Sequence, residues 1–331
     1  MKNKRFITIL FGSFLACTLI AFLGMMLGNR LLSPIKIFQI LFGQAESTNA
    51  NIFYYSRLPR VLASFLSGAA LAVSGAVLQN VLSNKLASPS IIGVNAGAGF
   101  GVTLCCSLGI LSGWAVSAFA FGGSLLAVLM ISLFASRTNA SKTTVILGGV
   151  ALNSILSAFS ESLSVLDNDV AMLTTEFRVG GFSSISYTRL LPAAVMIVMS
   201  LIILFTLFNE LDVVAVGDET AKSVGLKAQK YRIVFLILAA LLAGSAVSFT
   251  GLLGFVGLIV PHFVRWLTGN ESRRLIPLSA VMGGGFVCLC DTLSRLLFMP
   301  YELPVGILMA IIGGPVFVMM LVRMKGGYKK C

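Results

Sequence analysis

The chain has 331 residues, of which 57% are hydrophobic and only 11% charged, with a mean hydropathy of +0.97. A soluble domain carries roughly 25% charged residues, so a water-soluble fold is excluded and the bilayer must be the solvent. The net charge of +12 does not describe a nucleic-acid surface, because the basic residues fall in gaps between apolar runs and form no patch on a soluble domain.

In lipid every backbone polar group must pair internally, which leaves helices or a closed barrel. The alternating pattern of barrel strands is missing, so the expected fold class is all-α, a polytopic membrane protein. At about 20 apolar residues per span, the length allows about ten helices. Apolar runs place them near 6–28, 60–82, 91–109, 114–135, 143–165, 190–208, 231–249, 255–268, 276–298 and 305–323.

The first run follows Met1-Lys-Asn-Lys-Arg5 and resembles a signal peptide. It is longer than a typical signal core, and Gly28-Asn-Arg-Leu-Leu is a poor cleavage site, so it reads as a retained first span. With the N-terminus inside, 17 of the 24 lysines and arginines fall in inner segments. The positive-inside rule therefore puts both termini in the cytoplasm.

Two gaps are longer than the others. The outer one, residues 29–59, ends in Arg57-Leu-Pro-Arg60. The inner one, residues 209–230, reads NELDVVAVGDETAKSVGLKAQK. It is polar enough to leave the membrane. It is either a small helix on the inner surface, capped by Asp218, or an ordinary connecting loop.

Small residues recur at helical spacing: Gly93, Gly97 and Gly101, and likewise Gly68 and Ala72. In lipid this spacing lets helices approach closely. It does not fit a GxGxxG nucleotide site, and no βαβ unit surrounds it. Gly251 to Arg265, GLLGFVGLIVPHFVR, is expected to form an external turn and the start of the next span. Five of the six cysteines lie within apolar runs and read as small core residues.

Chemistry is sparse. No Walker A sequence GxxxxGK[ST] occurs, so energy must come from a partner or from an ion. Ion coupling leaves ionisable groups mid-membrane, but Glu161 and Asp291 lie towards the outer ends of their spans. Asp291 can pair with Arg295 four residues on. The lone histidine, His262, reads as a packed, hydrogen-bonded residue. No nucleophile and base are placed as a catalytic pair, and no metal-ligand spacing occurs. Catalytic residues, bound cofactor and metal are therefore all expected to be none.

A set of motifs in fixed order adds to this. Arg57-Leu-Pro-Arg60 is followed by Gly68-Ala-Ala-Leu-Ala-Val-Ser-Gly75, Gln79, Asn84-Lys-Leu-Ala-Ser-Pro89 and Gly93-Val-Asn-Ala-Gly-Ala98. Then come Gly217-Asp-Glu-Thr-Ala221 with Val224-Gly225, Gly254-Phe-Val-Gly-Leu-Ile-Val-Pro-His-Phe-Val-Arg265, Asp291-Thr-Leu-Ser-Arg295, Glu302-Leu-Pro-Val-Gly306 and Gly313-Gly-Pro315. Across most of its length the chain resembles the FecCD family, the membrane permeases of type II ABC importers for iron-siderophores, haem and cobalamin.

The resemblance implies a single permease domain over 1–331, ten spans, inverted repeats and a permease dimer formed with a second copy or a paralogue. It implies two cytoplasmic ATPase subunits that bind ATP-Mg, and an extracytoplasmic substrate-binding protein. By the same resemblance Gly217, Asp218, Glu219, Ala221 and Gly225 belong to the coupling segment within 209–230, where small residues suit close packing on the ATPase. Arg57, Arg60 and Arg295 match outer arginines that dock the binding protein, as exposed forked donors. Gly254, Gly257, Pro261, His262 and Arg265 form a structural or gating motif. Lys85, Glu271-Ser272-Arg273 and Phe177-Arg-Val-Gly-Gly181 depart from the family pattern.

The expected function is import of a ferric siderophore across the plasma membrane of a bacterium, with ATP hydrolysed by the partner and not by this chain. Cobalamin or haem is the alternative cargo. An ion-coupled secondary transporter, a membrane-embedded enzyme and a zinc or manganese permease are remoter readings; the last should be richer in histidine and carboxylates.

Overall fold

A computed structural model of the chain describes residues 2–28, 31–42, 47–138 and 140–327. The described residues contain helices and no strands. In chain order the helices are α1 (Lys2–Met26), α2 (Pro34–Leu41) and α3 (Ser47–Ile52). A π-helical turn (Phe53–Arg57) leads from α3 into α4 (Leu58–Val81). Next come α5 (Val94–Ser107), α6 (Gly113–Thr138), α7 (Lys142–Leu166), α8 (Asn168–Val179) and α9 (Tyr187–Thr206). The rest are α10 (Phe208–Val216), α11 (Asp218–Ser223), α12 (Ala228–Thr250), α13 (Val256–Thr268), α14 (Ser272–Leu296) and α15 (Val305–Gly327).

Seven stretches are helical, long and apolar enough to cross a membrane, and α5, α13 and α15 supply three shorter apolar helices. These ten coincide with the ten expected spans. Local chemistry sets several of their starts. Pro59 stands in the first turn of α4, just past the π-helical turn. Ser141 caps α7 by accepting from the Thr144 N–H at 3.2 Å, and Asp167 caps α8 through the Asp169 N–H at 2.9 Å.

The centre of the bundle is α4, packed against α14 on one side and α12 on the other. Small residues set these distances. A Cβ on Gly68 would meet the Gly283 carbonyl, and one on Gly75 would meet the Gly257 backbone. The expected Gly97 and Gly101 contacts also form, against the backbones of Gly123 and Phe119 on α6. Ser74 Oγ donates to the Ala239 carbonyl at 2.7 Å and ties α4 to α12 at mid-length. Van der Waals packing and such hydrogen bonds hold helices together where water provides no driving force.

The same packings occur twice. α4 meets α14 as α12 meets α6, α4 meets α13 as α12 meets α5, and α5 meets α6 as α13 meets α14. Such recurrence is what two structurally similar halves, one built on α4 and one on α12, would give. In both halves the long central helix is followed by a loop and a short helix. The first loop carries buried Ala87, Ser88 and Pro89, and Pro89 Cδ lies against Gly257, where α13 begins.

The Gly251–Phe255 turn does not lie outside, as expected, but within the bundle. The Leu252 N–H donates to the Phe177 carbonyl at 2.9 Å, and the Gly181 N–H donates to the Thr250 carbonyl at 2.8 Å. Gly251, with φ +71°, sits against the Phe177 carbonyl with no room for a Cβ. α13 then begins beside Gly75, about 26 Å from the start of α4 at 1.5 Å per residue, and covers only the far half of that helix.

Five cysteines, Cys17, Cys105, Cys106, Cys288 and Cys290, are free and buried, as small core residues. Cys331 lies outside the described residues, as do Arg30 and the segment 43–46 of the outer gap.

Candidate functional site

Polar side chains gather at the two ends of the α4–α14 pair. At the first end, Arg60 on α4 donates through Nε to Asp291 Oδ1 at 3.0 Å and through Nη1 to Glu302 Oε2 at 2.7 Å. Arg295 meets the other Asp291 oxygen at 3.1 Å, the pairing expected from their spacing on α14. Arg295 also donates to the carbonyls of Leu27 and Gly24, both at 3.2 Å, and Arg57 donates to the Leu27 carbonyl. These carbonyls close α1, so the guanidinium groups cap the negative end of that helix. Gly28, at φ +154°, gives Arg57 its seat, since a Cβ there would strike the guanidinium.

The structure thus brings the three expected docking arginines together but does not expose them. Arg57 and Arg295 are buried, and Arg60 is nearly so. The sequence reading took them as exposed forks. The reason for the difference is Asp291, wholly buried between two of them, because a buried charge persists only with partners.

At the other end the groups are mostly neutral. Arg265 on α13 donates to Gln79 Oε1, to Asn80 Oδ1 at 2.9 Å and to the Ala76 carbonyl. Gln79 Nε2 donates to the Gly257 carbonyl at 3.0 Å, and Asn80 Nδ2 donates to Ser272 Oγ at 3.0 Å. The Ser272 N–H donates to Asp212 Oδ1 on α10 at 2.9 Å. A cavity of about 500 Å³ opens here, lined by Gln79, Lys85, Asp212, Arg265 and Glu271 among others. Of the expected gating motif, Gly257 and Arg265 face α4, and Pro261 is buried inside α13. Gly254 has open space around its α-carbon. His262 is half-buried near Lys85 and Arg265, and among the described residues it makes no hydrogen bond, against expectation.

The inner gap resolves into two short helices, α10 and α11, with Gly217 between them at φ +146°. Gly217 takes the cap position of α11, expected for Asp218, and Asp218 is the first helical residue. Glu219 and Gly225 are exposed, but Ala221 is buried within its own chain. Ala221 therefore offers no surface to a partner. The prominent exposed groups are Val216 and Val224, 72% and 64% exposed.

α7 forms a third feature. Thr143, Ser154, Ser157 and Glu161 are exposed on it and fall within about 60° of one another around the helix at 100° per residue. Beside this stripe a cavity of about 370 Å³ is lined by Asn95, Asn153, Ser157, Glu161 and Arg178.

Sequence reasoning missed Asp212, Asn80 and the role of Ser272. Two adjacent amides closing an apolar span, and one acid among Leu211, Val213 and Val214, were the available signals.

Ten apolar helices, in two halves that repeat the same packings, agree with a membrane permease of the ABC importer class. The chain belongs to the FecCD transport family, whose profile matches residues 15–323. It is 35% identical to the iron-uptake system permease protein FeuB of Bacillus subtilis (strain 168), over 96% of each chain. It is 34% identical to the uncharacterized ABC transporter permease protein YvrB of the same organism, over 99% of this chain and 96% of that one. A solved structure described as an inward-facing conformation of a metal-chelate type ABC transporter superposes with a TM-score of 0.87 at 29% identity, over 96% of this chain and 99% of that one.

Proposed function

We propose that this chain is the membrane subunit of an ABC importer that carries a ferric siderophore across a bacterial plasma membrane. It pairs with a second permease, two ATPases on the cytoplasmic side and a substrate-binding protein outside. The observation that carries this reading is the α10–α11 segment. It is seated on the bundle at the Arg265 end and exposes Val216 and Val224. Apolar side chains on a solvent-facing element mark a protein contact, and this end is the cytoplasmic one by the positive-inside count.

The α7 stripe supports a path between two copies. A carboxylate facing lipid, such as that of Glu161, is costly, whereas the same group facing a water-filled path is solvated. The chain contains one histidine, which suits iron that crosses inside its chelator better than a bare ion needing ligands. At the Arg60 end the binding protein meets a rim where Glu302 is the more exposed partner, and its carboxylates compete with Glu302 for Arg60.

The test is purification of the tagged permease together with the ATPases of its own cell, for wild type and Val224→Glu. The expected result is a complex with the wild type, weakened at least about tenfold by the buried charge. In proteoliposomes the complex should take up ferric siderophore, in preference to cobalamin or haem, only when ATP is present. Uptake that continues without ATP would establish ion-coupled transport instead.

A further inference from the structure

We propose that Asp212 is the positioning residue that registers the α10–α11 segment on the α4–α14 pair, so that movement of this segment is passed to the Arg60 end. The proposal rests on the permease reading above.

The first N–H groups of a helix need acceptors from outside it. At the start of α14 the residue in the capping position, Glu271, makes no capping bond with its side chain; it pairs with Arg274 at 3.1 Å instead. The acceptor comes from a different element. Asp212 Oδ1 takes the Ser272 N–H at 2.9 Å, which puts a carboxylate at the positive end of a 25-residue helix. Ser272 is wholly buried, and its hydroxyl accepts from Asn80, which accepts from Arg265. One carboxylate on α10 is therefore continuous with hydrogen bonds into α14, α4 and α13.

α10 is seated by Leu211 and Val214, both fully buried, and Asp212 lies between them in sequence. Apolar packing holds the helix on the bundle without fixing its register, since such contacts are non-directional. The directional contacts fix it. Besides Asp212 there is a second tie: Ser83 Oγ donates to the Ala215 carbonyl at 3.2 Å and accepts from Lys142 Nζ at 2.7 Å. α10 thus meets the ends of α4 and α14, and α7 joins them through Ser83. The bond from Asp212 borders the 500 Å³ cavity, where water can replace either partner, so it can break and re-form during a transport cycle. From Ser272 onward the path runs along α14. α14 lies on α4 at glycine-to-backbone distance and carries Asp291 at its far end.

Two measurements test this. In the purified permease alone, amide hydrogen exchange at the first turn of α14 should speed up at least tenfold in Asp212→Ala. It should change little in Asp212→Asn, which keeps an acceptor oxygen. Unchanged exchange in the alanine variant overturns the proposal, whatever the chain's partners prove to be. In the complete transporter with its ATPases and binding protein, Asp212→Ala should leave basal ATP hydrolysis within twofold of wild type. Substrate carried per ATP should fall at least tenfold, and the asparagine variant should recover at least half of that loss. An unaltered ratio, or an asparagine variant as defective as the alanine one, overturns it. Failure of the wild type to bind any ATPase would instead strike the permease reading, while the exchange result would stand.

Discussion

The two ends of the α4–α14 pair solve the same problem, polar groups at a helix crossing in lipid, in different ways. The Arg60 end uses formal charge. Three arginines surround Asp291 and Glu302, and the carbonyls that close α1 offset the excess of positive charge. The Arg265 end uses amides, a hydroxyl, one arginine and the Asp212 carboxylate, joined in a directional chain beside a cavity. A charge cluster loses heavily if any member leaves, whereas a wet hydrogen-bonded chain can exchange partners with water. The first arrangement suits a fixed clamp, the second a joint that moves.

The largest expected effect follows from removing the anion at the clamp. Asp291→Ala leaves Arg60 and Arg295 buried without their shared carboxylate. Breaking a buried pair in this way costs about 3–5 kcal/mol. The expected outcome is loss of folded permease, seen as disappearance of the monodisperse peak in detergent size exclusion. Recovery of that peak in Asp291→Ala combined with Arg295→Ala would trace the defect to uncompensated charge. A single variant as stable as wild type would remove the distinction between the two ends.

A smaller effect is expected at the joint. Arg265→Ala deprives Gln79 Oε1 and Asn80 Oδ1 of their donor. An unsatisfied buried acceptor costs about 1–3 kcal/mol, and access to the neighbouring cavity lets water reduce this. The variant should fold, with a lowered melting temperature in detergent and a substrate-per-ATP ratio well below wild type. Destabilisation equal to that of Asp291→Ala would show the joint to be as rigid as the clamp.

The clamp was half legible in the sequence and the joint hardly at all. Asp291 and Arg295 stand four apart on one helix, so their pairing follows from periodicity. Arg60 and Glu302 are 242 positions apart, and no local pattern reports such a contact. The ten spans were legible because apolar length is a strong signal. The placement of the Gly251–Phe255 turn was not, because whether a glycine-rich turn lies outside or inside depends on what packs over it. Asp212 was hidden for the same reason: its partner is the first N–H of a helix sixty residues on, and only the fold puts the two together.

The smallest effect sharpens the comparison from within the clamp. Glu302 binds the same arginine as Asp291, at the shorter distance of 2.7 Å, but its side chain is 34% exposed where that of Asp291 is fully buried. If distance governed its worth, Glu302 would be the stronger partner. If burial governs, solvent screens the pair and it contributes at most about 1 kcal/mol. Glu302→Gln keeps an acceptor for Arg60 and removes only the charge. The melting temperature in detergent should therefore fall by no more than about 3 °C, with the monodisperse peak intact. A loss approaching that of Asp291→Ala would mean that the five groups share one charge balance and that Glu302 is not available to exchange with a docking carboxylate. A small loss leaves the outward edge of Arg60 as the one place in the clamp where an incoming partner can replace a resident one.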